Sequence, residues 1–490
     1  MNDDPTAGLA GSANDSTARR NPLLGRRTLL KVLGATAAVG ATLPATAAAV
    51  GQGGRIGVRN TADVIVIGAG YAGATTARQL SAAGLSVLVL EGRDRIGGST
   101  WTTTFAGKPI ELGGQWLTTT QPHVKAELDR YGVPLYADSF LNPERAFFPG
   151  VSGQAAQVDF IPAITRQGEL LAKVMDGSDL YFPRPMQPLY ARTRLARVDP
   201  LSLRQRIDQL GLSPLDDLYV GSVTGGYSGG SSAAGGLAGM AQWWALGGHT
   251  NAGWDSQTQQ RPVGGMSAIA RRMLADSRAM VKLNTRVTHV GADSSKVVVV
   301  TEDGAKYLAR AVVVATPVNM WKSITFAPGL PPVHAAATRQ GVGVANSTKM
   351  WLRLAPETGA TFACGPEGAP VTSVIPKETL DNGDILALGF SESNTAFDSL
   401  AAVQNAVRSI LPGARVLDYR AQAWSRDPFT RGGWGMRKPN QYLGHLPAIQ
   451  QPHGRVHFAG ADIADGWYGA FIDGAIESGF RASAQVINLL

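Results

Sequence analysis

A run of mostly β-branched residues, Asp63-Val64-Ile65-Val66-Ile67, passes without a break into Gly68-Ala69-Gly70-Tyr71-Ala72-Gly73. No other stretch constrains the fold as much. An uninterrupted apolar run of this kind belongs to a parallel strand covered on both faces. Ala74 to Ala83 then reads as a helix of small residues ended by Gly84, and Leu85 to Leu90 as a second strand closing on Glu91. Each glycine answers a separate need: Gly68 the tight turn, Gly70 close approach of a pyrophosphate, Gly73 helix-strand packing. The N–H groups of the turn, with Tyr71 and Ala72 in it, face the phosphates at a helix N-terminus. Glu91, about 20 residues further on, is placed to accept hydrogen bonds from a ribose. A mere tight turn would need neither the strand before it nor the acid after it. The pattern predicts an α/β chain with a Rossmann-like dinucleotide-binding domain.

Two glycine doublets follow, in Arg93-Asp94-Arg95-Ile96-Gly97-Gly98-Ser99 and in Glu111-Leu112-Gly113-Gly114-Gln115-Trp116. They read as backbone packed on a flat ligand or, more blandly, as two surface turns. Near the other end, Arg455 to Gly460 reads as a short strand entering a glycine, and Asp473 to Leu490 as a helix with Gly474 and Gly479 on one side. Segments far apart in the chain are thus expected to close one nucleotide site.

At 490 residues the chain exceeds the roughly 250 to 300 residues at which one core stops growing, so two interleaved domains are expected. The charge of +8 is spread along the chain without a basic block, which argues against a nucleic-acid partner. The single cysteine, Cys364, excludes an internal disulfide and a cysteine zinc site. The histidines show no ligand spacing, so no metal is expected. Residues 1–49 order a charged stretch with Arg26-Arg27, an apolar stretch from Val32 to Thr42, and a small-residue stretch at Ala45 to Ala49. That order is a secretory signal, and the paired arginines resemble a twin-arginine leader. Export through the twin-arginine machinery to the periplasm or exterior of a bacterium is expected. The alternative, a membrane-anchoring helix, is disfavoured because the apolar run falls short of the roughly 20 residues a bilayer demands. No other stretch is long and apolar enough to span.

Taken together, these motifs with Phe458-Ala459-Gly460-Ala461-Asp462 and Phe471-Ile472-Asp473-Gly474-Ala475 resemble the flavin amine oxidase family of monoamine, polyamine and L-amino acid oxidases. The resemblance runs from about Ala62 to Leu490. It implies a non-contiguous Rossmann-like FAD-binding domain (60–120, 261–317, 455–490) interleaved with an α+β substrate-binding domain (121–260, 318–454). Within the middle FAD segment it implies a helix after Val263-Gly264-Gly265, a strand near Arg286-Val287, a hairpin around Val297 to Thr301, and a strand at Ala311 to Ala315. The family's counterpart of Val287 touches the adenine through its backbone, and that of Asp462 bonds the flavin's sugar chain. The resemblance also lines the cofactor with Arg93, Gly97, Gly98, Ser99, Gly113, Gly114, Gln115, Trp116, Trp424, Gly460, Phe471 and Ile472.

Lys349 falls where the family keeps a lysine bonded through water to flavin N5. A cation there stabilises negative charge developing on reduced flavin or on superoxide. The residues alone favour a blander reading, a strand with Lys349, Trp351 and Arg353 on one solvent-facing side. Trp434 stands where covalent monoamine oxidases carry the cysteine that bonds the flavin, so noncovalent FAD is expected. Trp434 and Phe471 match the two aromatic walls that steer an amine, although either ring could be ordinary core. The stretch Trp467 to Phe471 is one residue longer than the family pattern, so Tyr468 competes with Phe471 for that register. Ser99 replaces the arginine that usually follows the first doublet, which predicts weaker flavin contacts. Gln121-Pro122-His123-Val124, Arg130-Tyr131-Gly132, Tyr181-Phe182-Pro183-Arg184-Pro185, Trp434 and Asp465-Gly466-Trp467 resemble the bacterial nicotine oxidase and pseudooxynicotine amine oxidase branch. The Gly/Ser/Ala-rich patch from Gly221 to Gly239 reads as a mobile lid or a loosely packed helix.

The implied reaction is oxidation of the C–N bond of a primary or secondary small-molecule amine to an imine or iminium that hydrolyses. Oxygen or an electron-transfer protein would be the acceptor, and the family admits a homodimer. An L-amino acid oxidase is the alternative enzyme; it would need a carboxylate clamp, for which Arg184, Arg353 and Arg437 are candidates. A flavin-binding protein without turnover is the alternative of another class.

Overall fold

A computed structural model describes residues 60–138 and 140–490; the leader expected at 1–49 lies outside the described residues. Five parallel strands form one sheet in the order Val456–Phe458, Ala311–Val314, Val64–Ile67, Val87–Leu90, Met280–Lys282. Val64 pairs with Ala311 on one side and Val87 on the other. All four residues of the central strand are buried, as expected of a run with no polar face.

The first helix, Tyr71–Ala82, begins three residues before the position expected from sequence. Gly70 is its N-cap, and Gly73 lies inside the first turn because any Cβ there would stand 2.0 Å from the Gly68 carbonyl oxygen. The second strand starts at Val87 instead of Leu85. The terminal helix, Ile472–Leu489, packs on the first. Its two glycines do not share a side. Gly479 faces Thr75 and Ala72 of the first helix, whereas Gly474 faces the Trp467 carbonyl. Five residues turn an α-helix by about 140° beyond one full turn, which is why the expectation fails.

The helix Met266–Ala275 follows Gly264-Gly265 as expected. Strands Lys306–Ala309, Val297–Thr301, Val287–Ala292 and Thr325–Ala327 make a second sheet.

A seven-stranded sheet runs Val416–Ala423, Thr348–Leu354, Ile385–Ser391, Ser373–Thr379, Thr361–Cys364, Arg145–Pro149, Ala155–Val158. Helices Phe160–Val174 and Pro214–Tyr227 pack against it. The small-residue patch is neither lid nor loose helix. It is the end of one helix, a loop, and the start of Leu237–Leu246. Two of its glycines are there for lack of room: a Cβ on Gly235 would lie 2.1 Å from Ser228 Oγ, and one on Gly239 2.7 Å from the Arg437 carbonyl oxygen. Among the described residues no helix is long and apolar enough to cross a membrane, and no His, Cys, Asp and Glu cluster could hold a metal.

Candidate active site

The glycine loop joins the first doublet backbone to backbone. Gly68 has φ +107°, Gly97 φ +119° and Gly98 φ +60°, values that favour glycine. The Gly97 N–H donates to the Ala69 carbonyl at 3.0 Å. Gly70 offers no side-chain cap to the helix it opens, and the Tyr71 hydroxyl is turned away, donating to the Met266 carbonyl at 2.6 Å. Buried Glu91 accepts the Ala69 N–H on one oxygen at 2.7 Å and the Arg93 N–H on the other at 2.8 Å. It therefore braces the loop it was expected only to complement, while each oxygen keeps a lone pair for a ribose hydroxyl.

The first doublet also meets the second. The carbonyl of exposed Ser99 accepts the Gly114 N–H at 3.0 Å, and a Cβ on Gly113 would lie 2.0 Å from that oxygen. Gly114 has ordinary room on its open side. Buried Trp424 closes this corner, its indole N–H donating to the Leu112 carbonyl at 2.8 Å. The Arg93 guanidinium pairs with Asp427 at 2.6 Å. Sequence reasoning left Arg95 out of the site. Its guanidinium lies 4.7 Å from the Trp101 ring centre and donates to the Thr100 carbonyl at 2.9 Å, so a cation does flank the first doublet. Burial lowers its pKa to about 10.

Val287 opens its strand, buried and beside a bulge. The Gly460 N–H donates to Ser478 Oγ at 2.8 Å. Asp462 accepts the Val318 N–H at 2.9 Å, and its other oxygen would stand 2.5 Å from a Cβ on Gly435. Burial holds this carboxyl above its usual range. Ile472 opens the terminal helix, to which Phe471 supplies no side-chain cap. Asp473 instead reaches across to the Val124 N–H at 2.8 Å, capping the helix Pro122–Tyr131 in place of Gln121. That leaves Gln121 buried with both amide atoms unpartnered among the described residues. An unmet buried polar group costs about 1–3 kcal/mol. Glycine backbone in close quarters, a helix N-terminus without a side-chain cap and a buried unpartnered amide together fit a dinucleotide.

The face that the residues alone would turn to solvent, against the reading the resemblance implies, points inward. Lys349 is buried, and its ammonium donates to the Gly113 carbonyl at 2.8 Å and Gln115 Oε1 at 2.7 Å. Trp351 is buried on the same face, its indole N–H on the Glu111 carbonyl at 3.0 Å. Only Arg353 reaches solvent, 3.6 Å from Asp384. Burial pulls the Lys349 pKa down to about 7. Glu111 accepts from the Met266 N–H and Thr102 Oγ1, each at 2.8 Å, and burial pushes its carboxyl up. Trp116 lies 5.3 Å from the Lys349 ammonium.

Trp434 and Phe471, both half-buried, are joined through one chain of rings. Trp434 donates its indole N–H to the Tyr227 carbonyl at 2.8 Å, with ring centres 6.4 Å apart. Tyr227 meets Trp243 at 6.1 Å, and Trp243 meets Phe471 edge-on at 5.8 Å. Trp254 joins at Tyr227, 5.1 Å away. Sequence reasoning missed Tyr227, Trp243 and Trp254, because they lie in helical stretches with no motif to mark them. Tyr468 is fully buried with its hydroxyl on the Gly239 carbonyl at 3.0 Å, which leaves Phe471 the more accessible of the two competing rings. Arg437 is buried with its guanidinium on the Ala464 carbonyl and the Tyr468 ring, Arg184 lies exposed over Tyr190, and Arg353 sits by Asp384.

Known proteins are similar to this chain. The model of the flavin containing amine oxidoreductase family matches residues 71–487. The nicotine dehydrogenase of Pseudomonas putida is 34% identical over 431 residues, covering 87% of this chain and 89% of that protein. The pseudooxynicotine dehydrogenase of a Pseudomonas species is 32% identical over 434 residues, covering 87% and 86%. The solved structure of putrescine oxidase bound to putrescine covers 87% of this chain and 99% of its own with a TM-score of 0.69 at 24% identity, a likeness of fold. With a family model spanning most of the chain and a relative 34% identical over nearly its whole length, this chain belongs to the flavin-containing amine oxidoreductases, FAD-dependent enzymes that oxidise amines.

Proposed function

We propose that this chain oxidises a secondary or primary amine carried on a compact ring-bearing body, held over a noncovalent FAD between Trp434 and Phe471. The observation that carries this reading is the buried Lys349, bonded to the Gly113 carbonyl of the second glycine doublet and to Gln115 beside it, in a chain whose half-buried Trp434 and Phe471 are joined by a row of aromatic rings. When bound, FAD supplies the hydride acceptor. Residues 60–120, 261–317 and 455–490 would hold it, and 121–260 with 318–454 would enclose the amine. Backbone at Gly68, Gly70, Tyr71, Ala72 and Gly73 would face the pyrophosphate, with Glu91 on the ribose, Val287 at the adenine, and Asp462 and Gly460 along the sugar chain. Gly97, Gly98, Gly113, Gly114, Trp116, Trp424 and Ile472 would line the flavin. Lys349 would hold a proton beside N5. Tryptophan cannot make a thioether, and Cys364 is buried beside Gln167, which supports noncovalent binding. Relatives named for nicotine and pseudooxynicotine support an amine on a ring-bearing body.

Anaerobic titration of the purified protein with secondary and primary amines tests this. Bleaching of the visible flavin band by a ring-bearing amine is the expected result. Bleaching by amino acids alone would favour an amino acid oxidase, and no bleaching by any amine would leave a passive flavin binder. For the leader, replacing Arg26 and Arg27 by lysine is expected to block export; continued secretion would refute a twin-arginine route.

A further inference from the structure

Lys349 is one end of a buried charge network that no motif announced. Its partner Gln115 donates through the amide nitrogen to Asp138 Oδ2 at 2.9 Å, and the same oxygen accepts the Trp116 indole N–H at 2.6 Å. The other oxygen of Asp138 lies 3.1 Å from Lys377 Nζ and 3.6 Å from an Arg261 guanidinium nitrogen. The three charged side chains are only 5%, 8% and 12% exposed. A carboxylate that collects two neutral donors and two cations is held in its ionised form. Burial pushes the Asp138 carboxyl up, but Lys377, Trp116, Arg261 and Gln115 outweigh it and bring it below the usual range.

This arrangement decides which way the Gln115 amide points. A flipped amide would set its carbonyl against a carboxylate and its NH2 against the Lys349 ammonium, two repulsive contacts in place of two hydrogen bonds. We propose that Asp138 is a positioning residue: it locks the Gln115 amide with its carbonyl toward Lys349 and so decides how readily Lys349 keeps its proton. The bearing of this on catalysis rests on the reading that Lys349 adjoins flavin N5.

The charged groups around Lys349 come from four elements: Glu111 ends Lys108–Glu111, Asp138 follows Leu135–Ala137, Arg261 lies in Gln260–Pro262, and Lys377 in Ser373–Thr379. Burial dominates and lowers its pKa. Glu111 and Asp138 oppose burial, while Arg261 and Lys377 reinforce it. Removing the Asp138 charge, and with it the lock on Gln115, pushes in one direction: a flipped amide presents a donor, which only neutral Lys349 can accept.

The test reads Lys349 itself. In the holoenzyme with lysines labelled with ¹³C at Cε, the Lys349 resonance is assigned by its loss in Lys349→Met and followed with pH. Asp138→Asn is expected to lower its midpoint by about half a unit or more, and Gln115→Glu, which adds an anion beside the ammonium, to raise it by a similar amount. Asp138→Glu, which keeps the charge, should return the midpoint toward the parent value. An unmoved or raised midpoint in folded Asp138→Asn overturns the proposal. Should that variant fail to fold, an unmoved or lowered midpoint in Gln115→Glu overturns it instead. The visible flavin spectrum, titrated without substrate, separates the two claims. A flavin indifferent to the Lys349 titration sinks the N5 reading and leaves the role of Asp138 standing.

Discussion

Gly98 and Gly70 meet with no side chain between them: a Cβ on Gly98 would stand 3.1 Å from the Gly70 Cα. Gly98→Ala must therefore push the Gly68–Gly73 loop, besides straining a residue at φ +60°. The expected result is a clear loss of bound FAD on dialysis, with a stability loss of roughly 1–3 kcal/mol. Gly107→Ala, at φ +75° with nothing within 4 Å, supplies the comparison. It should lower Tm yet leave the flavin-to-protein ratio unchanged.

Lys349→Met should slow flavin reoxidation more than amine-driven reduction, on the order of tenfold or more if the charge-stabilising role holds. The Lys349 cation is populated below its pKa of about 7, so the reoxidation rate of the parent should fall as pH rises through that value. Stopped-flow measurement of the two half-reactions checks both points; equal slowing of each would make the lysine merely structural.

Trp434→Ala and Phe471→Ala should weaken amine binding, seen as a higher substrate concentration for half-maximal anaerobic reduction. Tyr468→Phe should leave that value unchanged. It removes the donor to the Gly239 carbonyl and should cost about 1–3 kcal/mol of stability.

Stability should fall on both sides of neutrality. Burial pulls His334, His445 and His457 from 6.5 to about 4, so the unfolded chain takes up protons that the fold refuses. Their contribution is complete above 6.5 and lost as pH falls toward 4. Glu392 is the opposite case: burial pushes its carboxyl from 4.5 to about 8, and its contribution is lost as pH rises through that window. Each shift is of the order of a few kcal/mol. Denaturant unfolding between pH 4.5 and 8 should show a shallower acid limb in His457→Leu and a shallower upper limb in Glu392→Gln. Unchanged slopes would mean that these groups titrate freely.

Much of the parallel sheet and its glycine turns was legible because the rules there are local. A β-branched run before a glycine turn can do little else than what Val64–Ile67 does, and a glycine doublet marks backbone in tight quarters whatever fills them. The surroundings of Asp138 and Lys349 were not. Asp138 is an isolated acid between Ala137 and Ser139, with no period or motif, and its meaning comes from Gln115, Trp116, Arg261 and Lys377, brought to it by three different elements. The alternation Lys349, Trp351, Arg353 predicted one face correctly but not which way it pointed; the segment Glu111 to Trp116 covers the first two, and Arg353 escapes past its end. Gly474 and Gly479 were misplaced through helical arithmetic, and Gln121 carries no sign that its cap would be supplied by Asp473.

The strand Val456–Phe458 occupies an outer place in the parallel sheet, paired with Ala311–Val314. A ribosome delivers it long after the glycine turn at Gly68 has emerged. The growing polypeptide therefore carries an incomplete sheet, with the Ala311–Val314 edge bare, from the emergence of that strand until Val456 follows it. Chains cut short before Val456 should emerge colourless and prone to pair that bare edge with one another.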